Sequence, residues 1–380
     1  MRNIIYLDNA STTRPSQAAL EAFVEAPWYN ASSPHMGGWE AHKALDAARE
    51  KISKCVDCDP DEVFFTSGAT ESCVWAMKLM SDAAKVEQGV LCIGKGEHHA
   101  VSEQAGRETR TIPLPLNTAG CTKIPTKNSK PKSILFPAVM LANNETGIIT
   151  NIPDFRERLS RENPVPLMFT DATAAVGHIP VSFRELNVDY MAFTAHKFGG
   201  MKGAGALIIR KGAPGYAMIP GGGQEHGRRG GTESLPLISA MAAALEERTE
   251  CMELDIARVT ALRDRMTENI LNTIPGAHLN GTWKSRLPGT LNISFDGISG
   301  ASLVGMLSEN GIYAGTGAAC ASGDGKPSEV LTAMGINRER ALGAVRFSLD
   351  VLNTKEEVDR TLKILPEIVR QLRQVNGTLR

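Results

Sequence analysis

Short apolar runs alternate with stretches of helical period from about residue 15 to residue 250. Residues 62–66 (Glu62-Val63-Phe64-Phe65-Thr66) read as a strand, Ser67-Gly68 as a turn, and residues 69–79 as a helix. Residues 90–93, 133–141, 166–170, 190–193 and 206–209 read as further strands, and 99–107 fits a helix. Alternating strand and helix implies a mostly parallel sheet covered on both faces. Polar residues recur just after the strand-like runs: His98 and His99, Asn143 and Asn144, Asp171, His196 and Lys197. Open α/β sheets bind ligands beyond the carboxyl ends of their strands.

The pattern changes near residue 250. Residues 253–274 form an amphipathic helix with Val259, Leu262, Met266 and Ile270 on one face. Residues 290–295 and 344–348 read as strands. Thr354 with Glu357 forms a capping box, and Val358, Leu362, Leu365, Val369 and Leu372 make the stripe of a last helix. The expected organisation is a large α/β domain over 14–250 and a smaller α+β domain built from 1–13 and 251–380.

At 380 residues, 42% hydrophobic and 22% charged, the chain is long enough for two domains of ordinary globular composition. A net charge of −1 recruits neither nucleic acid nor an anionic membrane. No apolar run approaches the ~20 residues of a membrane helix, and the charged N-terminus lacks a signal-peptide core. Seven cysteines, an odd number, fit reduced thiols in a cytosol better than a disulfide framework. Cys55 and Cys58 resemble half a metal site, but no second pair has suitable spacing, so no metal is expected.

Lys197 closes the run Thr194-Ala195-His196-Lys197, and Asp171 ends an apolar strand upstream of it. That pair suits pyridoxal phosphate: an amine to hold the cofactor aldehyde, and a carboxylate to keep the pyridine nitrogen protonated. Asp171 also suits a helix N-cap. Thr66-Ser67-Gly68-Ala69-Thr70-Glu71 lies between strand and helix, where small residues let backbone amides close on a phosphate or simply cap the helix. His98 can stack on a flat ring and move protons near neutral pH. Asn143-Asn144-Glu145-Thr146-Gly147 offers an amide donor or a plain turn. The glycine-rich stretch 221–233 reads as a loop closely approached by a phosphate or a neighbouring subunit, which would explain Arg229 and Thr232. Arg346, in an apolar strand, asks for an anion: a substrate carboxylate or an internal partner. Cys320 sits among Gly, Ala, Thr and Ser, where a thiol can be reached as a nucleophile.

In this order the motifs resemble those of NifS/IscS-type cysteine desulfurases, class V enzymes of pyridoxal-phosphate fold type I. The resemblance covers nearly the whole chain, from Tyr6-Leu7-Asp8-Asn9-Ala10 through Asn30-Ala31-Ser32-Ser33-Pro34-His35 to Arg346-Phe347-Ser348-Leu349. The stretch around Cys320 resembles the longer catalytic loop of group I members. The resemblance implies a large domain with a mostly parallel mixed sheet covered by helices, and a smaller α+β domain. It implies that Lys197 holds the cofactor and moves the Cα proton, that Asp171 pairs with the pyridine nitrogen, and that His98 stacks on the ring and acts as acid or base. Ala69, Thr70, Thr194 and His196 would contact the phosphate, with Thr232 reaching it from the other subunit of a homodimer. Asn144 would bond the ring hydroxyl, Arg346 and Asn30 would hold the carboxylate of L-cysteine, and Cys320 would take the sulfur as a persulfide for an acceptor protein.

Two departures stand out. Ala174 occupies a position where the family usually has Gln, a second donor to the ring hydroxyl, and a methyl group cannot replace it. The chain ends at Arg380, earlier than many group I members, which leaves the acceptor open. Alternative readings are a selenocysteine lyase or another β-eliminating member of the class, and a non-catalytic sulfur-transfer protein.

Overall fold

The computed structural model describes residues 4–108, 110–124, 134–317 and 326–377. Its strands are β1 (Ile5–Tyr6), β2 (Val63–Thr66), β3 (Val90–Gly94), β4 (Thr111–Leu114), β5 (Leu135–Ala138) and β6 (Phe169–Asp171). They continue with β7 (Tyr190–Thr194), β8 (Gly205–Ile209), β9 (Ala277–Leu279), β10 (Thr290–Phe295), β11 (Ile312–Tyr313) and β12 (Ala344–Ser348). Seven strands form one sheet in the order β2-β8-β7-β6-β5-β3-β4. β8 runs antiparallel to both neighbours, and the remaining pairings are parallel.

The pleat divides this sheet between two cores. Phe64, Leu91, Phe136, Phe169, Tyr190 and Leu207 pack with Trp75, Met77 and Met80 of the helix Ala69–Val86. Phe65, Cys92, Leu135, Met168, Met191 and Ile208 pack on the opposite face with Leu45 and Ile52 of Met36–Cys55 and with Ile238 and Leu245 of Leu235–Glu250. With both faces covered, the strands read as nearly continuous apolar runs. β4 was not legible in the sequence. It is an edge strand, partly exposed and interrupted by Pro113, which an edge tolerates because one side needs no ladder donor.

A separate core surrounds the antiparallel sheet β12-β10-β9. Helices Met252–Thr273, Gly300–Glu309 and Lys355–Val375 supply Met266, Leu303 and Leu365 to it. The N-terminal segment belongs to this core: β1 pairs with β11, and Ile5 and Leu7 are buried there. The Thr354–Glu357 capping box forms as expected, and the last helix continues through Pro366.

Candidate active site

A cavity of about 760 Å³ opens beyond the ends of β3, β6 and β7. β6 delivers Asp171, β7 ends at Thr194 and leads into the short turn of helix Ala195–Lys197, and the turn after β3 delivers Glu97 and His98. Arg346 enters from the middle of β12.

Lys197 is half-buried, and its Nζ donates to the carbonyls of Ala10 and Ser11, the latter at 2.9 Å. The N-terminal segment therefore touches the reactive amine. Burial lowers the Lys197 pKa to about 8, with the Arg346 guanidinium pushing the same way and the carboxylates of Asp171 and Asp8 opposing. His178 holds the Lys197 backbone from behind, with Nε2 2.9 Å from the carbonyl oxygen.

Asp171 is 5% exposed, and its Oδ1 accepts from the Thr173 amide at 2.9 Å. Among the described residues no cationic side chain forms an ion pair with it. The Cys73 thiol nearby is held protonated by burial and by the charges of Asp171 and Glu97. Glu97 is also buried; its Oε1 accepts from the Met140 amide at 2.6 Å, while Oε2 has no partner among the described residues. Burial first, and Asp171 second, raise the Glu97 pKa well above the usual carboxylate range. His98 Nδ1 accepts from the Ala100 amide at 3.1 Å, so the neutral ring carries its proton on Nε2. Loss of solvent lowers the His98 pKa, Asp171 opposes this, and His99 and Lys197 add to it.

The opposite end of the cavity is the N-terminus of helix Ala69–Val86, lined by Ser67, Gly68, Ala69 and Thr70. Gly68 has φ +155°, and a Cβ on Gly205 of β8 would lie 2.7 Å from the Gly68 Cα, so two backbones meet where only glycine fits. Glu71 accepts from the Ser67 amide at 2.8 Å and from Arg229 Nε at 2.8 Å, which ties the glycine-rich loop to this turn. The Thr194 hydroxyl donates to the Ala204 carbonyl at 2.8 Å. His196 Nδ1 is buried without a partner among the described residues, and burial lowers this imidazole to about 4, so it is neutral at pH 7.

Arg346 is 4% exposed. Its guanidinium donates to Asp8 Oδ1 (2.7 Å), Ser11 Oγ (2.8 Å) and the Asn144 carbonyl (2.8 Å), and its Nε is buried and unpartnered among the described residues. The sequence left open a substrate carboxylate or an internal partner. An internal partner, Asp8, is present, with donor capacity to spare.

Lys197, His98, Asp171, Asn144, Ala69, Thr70, Thr194, His196 and Arg346 thus line one cavity, together with Ala174. Asn30 and Thr232 do not line it: both are exposed, and Asn30 Oδ1 accepts from the Ser32 amide in a local turn. Cys320 lies outside the described residues. The sequence reading passed over Cys73, Glu97 as a buried acid, Lys95, Lys202 and Asp8. A signal for Asp8 was present, since a buried strand arginine needs an anion. None existed for Cys73, one of several cysteines on apolar segments. Among the described residues no group of three or more His, Cys, Asp or Glu side chains is placed to hold a metal ion.

The model of the class-V aminotransferase family matches residues 5–361. A cysteine desulfurase IscS of Methanosarcina thermophila is 37% identical over 380 residues, spanning 98% of this chain and 93% of that protein. A cysteine desulfurase IscS of Dictyoglomus turgidum is 37% identical over 386 residues, spanning 99% and 97%. Among solved structures, a NifS-like protein matches with a TM-score of 0.89 at 35% identity, covering 97% of this chain and 100% of that one.

Proposed function

The chain belongs to the class-V aminotransferase family, among its cysteine desulfurases, and from that premise we propose that it converts L-cysteine to L-alanine and passes the sulfur to Cys320 as a persulfide. The observation that carries this reading is the pairing, in one cavity, of a lysine lowered to about 8 with a buried carboxylate that no cation neutralises among the described residues.

These residues fit pyridoxal 5′-phosphate. Asp171 suits a protonated pyridine nitrogen, the helix N-terminus at Ala69 and Thr70 suits a phosphate, and the Nδ1 of His196, without a partner among the described residues, and the amide of Asn144 offer further contacts. When bound, the cofactor supplies an electron sink for the carbanion at the substrate Cα. Lys197 would hold it and is placed to move the Cα proton. His98 would lie against it and, with its proton on Nε2, can act as acid or base. Arg346 would hold the substrate carboxylate, whereas Asn30, outside the cavity of its own subunit, is given no part in it. The Cβ–S bond of the substrate breaks and an S–S bond forms to Cys320. Cβ is then protonated, so L-cysteine and a thiol become alanine and a persulfide without an external oxidant.

The protein works as a homodimer in the cytoplasm and delivers sulfur to an acceptor protein. Val24, Trp28, Met36 and Trp39, large apolar side chains at 62–82% exposure close together in sequence, support the dimer. Thr232, exposed on its own subunit, would serve the partner's phosphate site. The free Cys55, Cys58, Cys73, Cys92, Cys121 and Cys251 are compatible with a reducing compartment. Residues 14–250 form the cofactor-binding domain and 1–13 with 251–380 the smaller one.

The test is incubation with L-cysteine, measuring alanine and sulfide with and without a reductant. Alanine should appear with the wild type and not with Lys197→Ala. A wild type that takes up pyridoxal phosphate and forms no alanine would overturn the reading.

A further inference from the structure

The turn 143–147 joins the seven-stranded sheet to the rest of the site. Inwardly, Asn143 organises it: Oδ1 accepts from the Glu145 amide (3.0 Å), the Thr146 amide (2.8 Å) and Thr146 Oγ1 (3.0 Å), and Nδ2 donates to the Gly96 carbonyl (3.0 Å). Outwardly, its carbonyls accept from the other part of the molecule. Asn144 O receives Arg346 (2.8 Å), Glu145 O receives Asn292 (3.2 Å), Thr146 O receives Arg286 (2.6 Å) and Gly147 O receives the Leu287 amide (2.8 Å).

The Glu145 side chain makes one more link. It is 8% exposed, lines the cavity, and its Oε2 accepts from Ser328 Oγ at 2.6 Å. Ser328 is itself buried and accepts from the Leu331 amide at 3.1 Å, capping the helix Glu329–Ala333, whose Val330 and Leu331 pack with Leu116 and Met334. On the other side, Gly317 has φ +87°, and a Cβ there would lie 3.4 Å from Glu145 Oε2. One carboxyl therefore adjoins described residues that both precede and follow Cys320 in the chain. Burial raises the Glu145 pKa, while the Ser328 hydrogen bond and Arg346 work against that rise. The hydroxyl is the partner that makes this buried acid tolerable.

We propose that Glu145 is a positioning residue for sulfur transfer: it fixes Ser328, eight residues after Cys320 in the sequence, to the turn that carries Asn144 and meets Arg346. The inference rests on the desulfurase reading. Attack on the substrate sulfur needs the thiol in line with the Cβ–S bond, and a misplacement of about 1 Å can cost on the order of 100-fold. Fastening Ser328 to the turn that touches the substrate-binding arginine gives a point close to the nucleophile in sequence and the substrate's carboxylate partner one anchor.

The experiment uses the holoenzyme and its Ser328→Ala and Ser328→Thr variants in single turnover with L-cysteine. The Cys320 persulfide is followed by thiol labelling and mass spectrometry, and L-cysteine binding by spectral titration. The expected result is a fall of about tenfold or more in the persulfide rate constant for Ser328→Ala, an L-cysteine affinity close to wild type, and recovery in Ser328→Thr, which keeps the hydroxyl. The inference is overturned by an unchanged rate in Ser328→Ala, by equal losses of binding and rate, or by a Thr variant as slow as the Ala one. A wild type that forms no persulfide on Cys320 removes the desulfurase reading and this inference with it, whereas a normal wild type beside an unaffected Ser328→Ala removes this inference alone.

Discussion

The lowered pKa of Lys197 has a direct kinetic consequence. With a pKa of about 8 in place of 10.5, about 9% of the amine is neutral at pH 7 rather than about 0.03%, a gain of about 300-fold in the form able to capture an aldehyde. Burial is the larger cause and the Arg346 charge the next. In cofactor-free protein, covalent uptake of pyridoxal phosphate, followed by visible absorbance after rapid mixing, should accelerate tenfold per pH unit below 8 and level off by about pH 9. The sign follows from the neutral amine being the reactive form, so the rate rises with pH. Arg346→Gln removes a like charge and should move the midpoint upward. A rate still climbing through pH 10 in the wild type, or a downward shift in Arg346→Gln, would refute the assignment of the lowered pKa to burial and Arg346.

Glu97 has a folded-state pKa well above its unfolded value of 4.5, so its contribution to stability is lost as pH rises above 4.5; Glu97→Gln should flatten the fall in Tm between pH 5 and 8, and equal slopes would contradict a buried neutral acid. Glu225 receives Arg49 at 2.7 Å and the Phe65 amide at 2.8 Å, both buried; Glu225→Ala should cost about 3–5 kcal/mol in chemical denaturation, with a loss under about 1 kcal/mol counting against the pair as the loop's anchor. Ala174 lines the cavity with Asn144; Ala174→Gln, by restoring a donor worth about 1 kcal/mol, should tighten pyridoxal phosphate retention about fivefold in equilibrium dialysis, and unchanged or weaker retention would mean that the donor is not missed.

The large sheet was legible because its strands are short, apolar and bounded by polar turns, and β10 and β12 matched their expected spans. Nearly all the cavity-lining candidates were legible for a related reason: they lie at or just beyond the ends of those strands, as Asp171 ends β6 and Lys197 closes the turn after β7. What escaped depended on contacts between distant segments. Asp8 meets Arg346 across 338 positions, and Glu145 meets Ser328 across 183. Periodicity carries no information about such pairs. β4 escaped because Pro113 and an exposed edge hide its pattern. Helix Ala69–Val86 was expected to stop at residue 79 because its second half is more polar, and it continues because Met80 and Ala84 remain in the core.

The most direct measurement is the mass of the Cys320 peptide after one turnover with L-cysteine, beside the alanine released. The account expects one sulfur atom added at Cys320 for each alanine formed, and neither the added sulfur nor fast turnover in Cys320→Ser, which should still bind pyridoxal phosphate. Alanine formed at the wild-type rate by Cys320→Ser, or sulfur found on another cysteine, would contradict it.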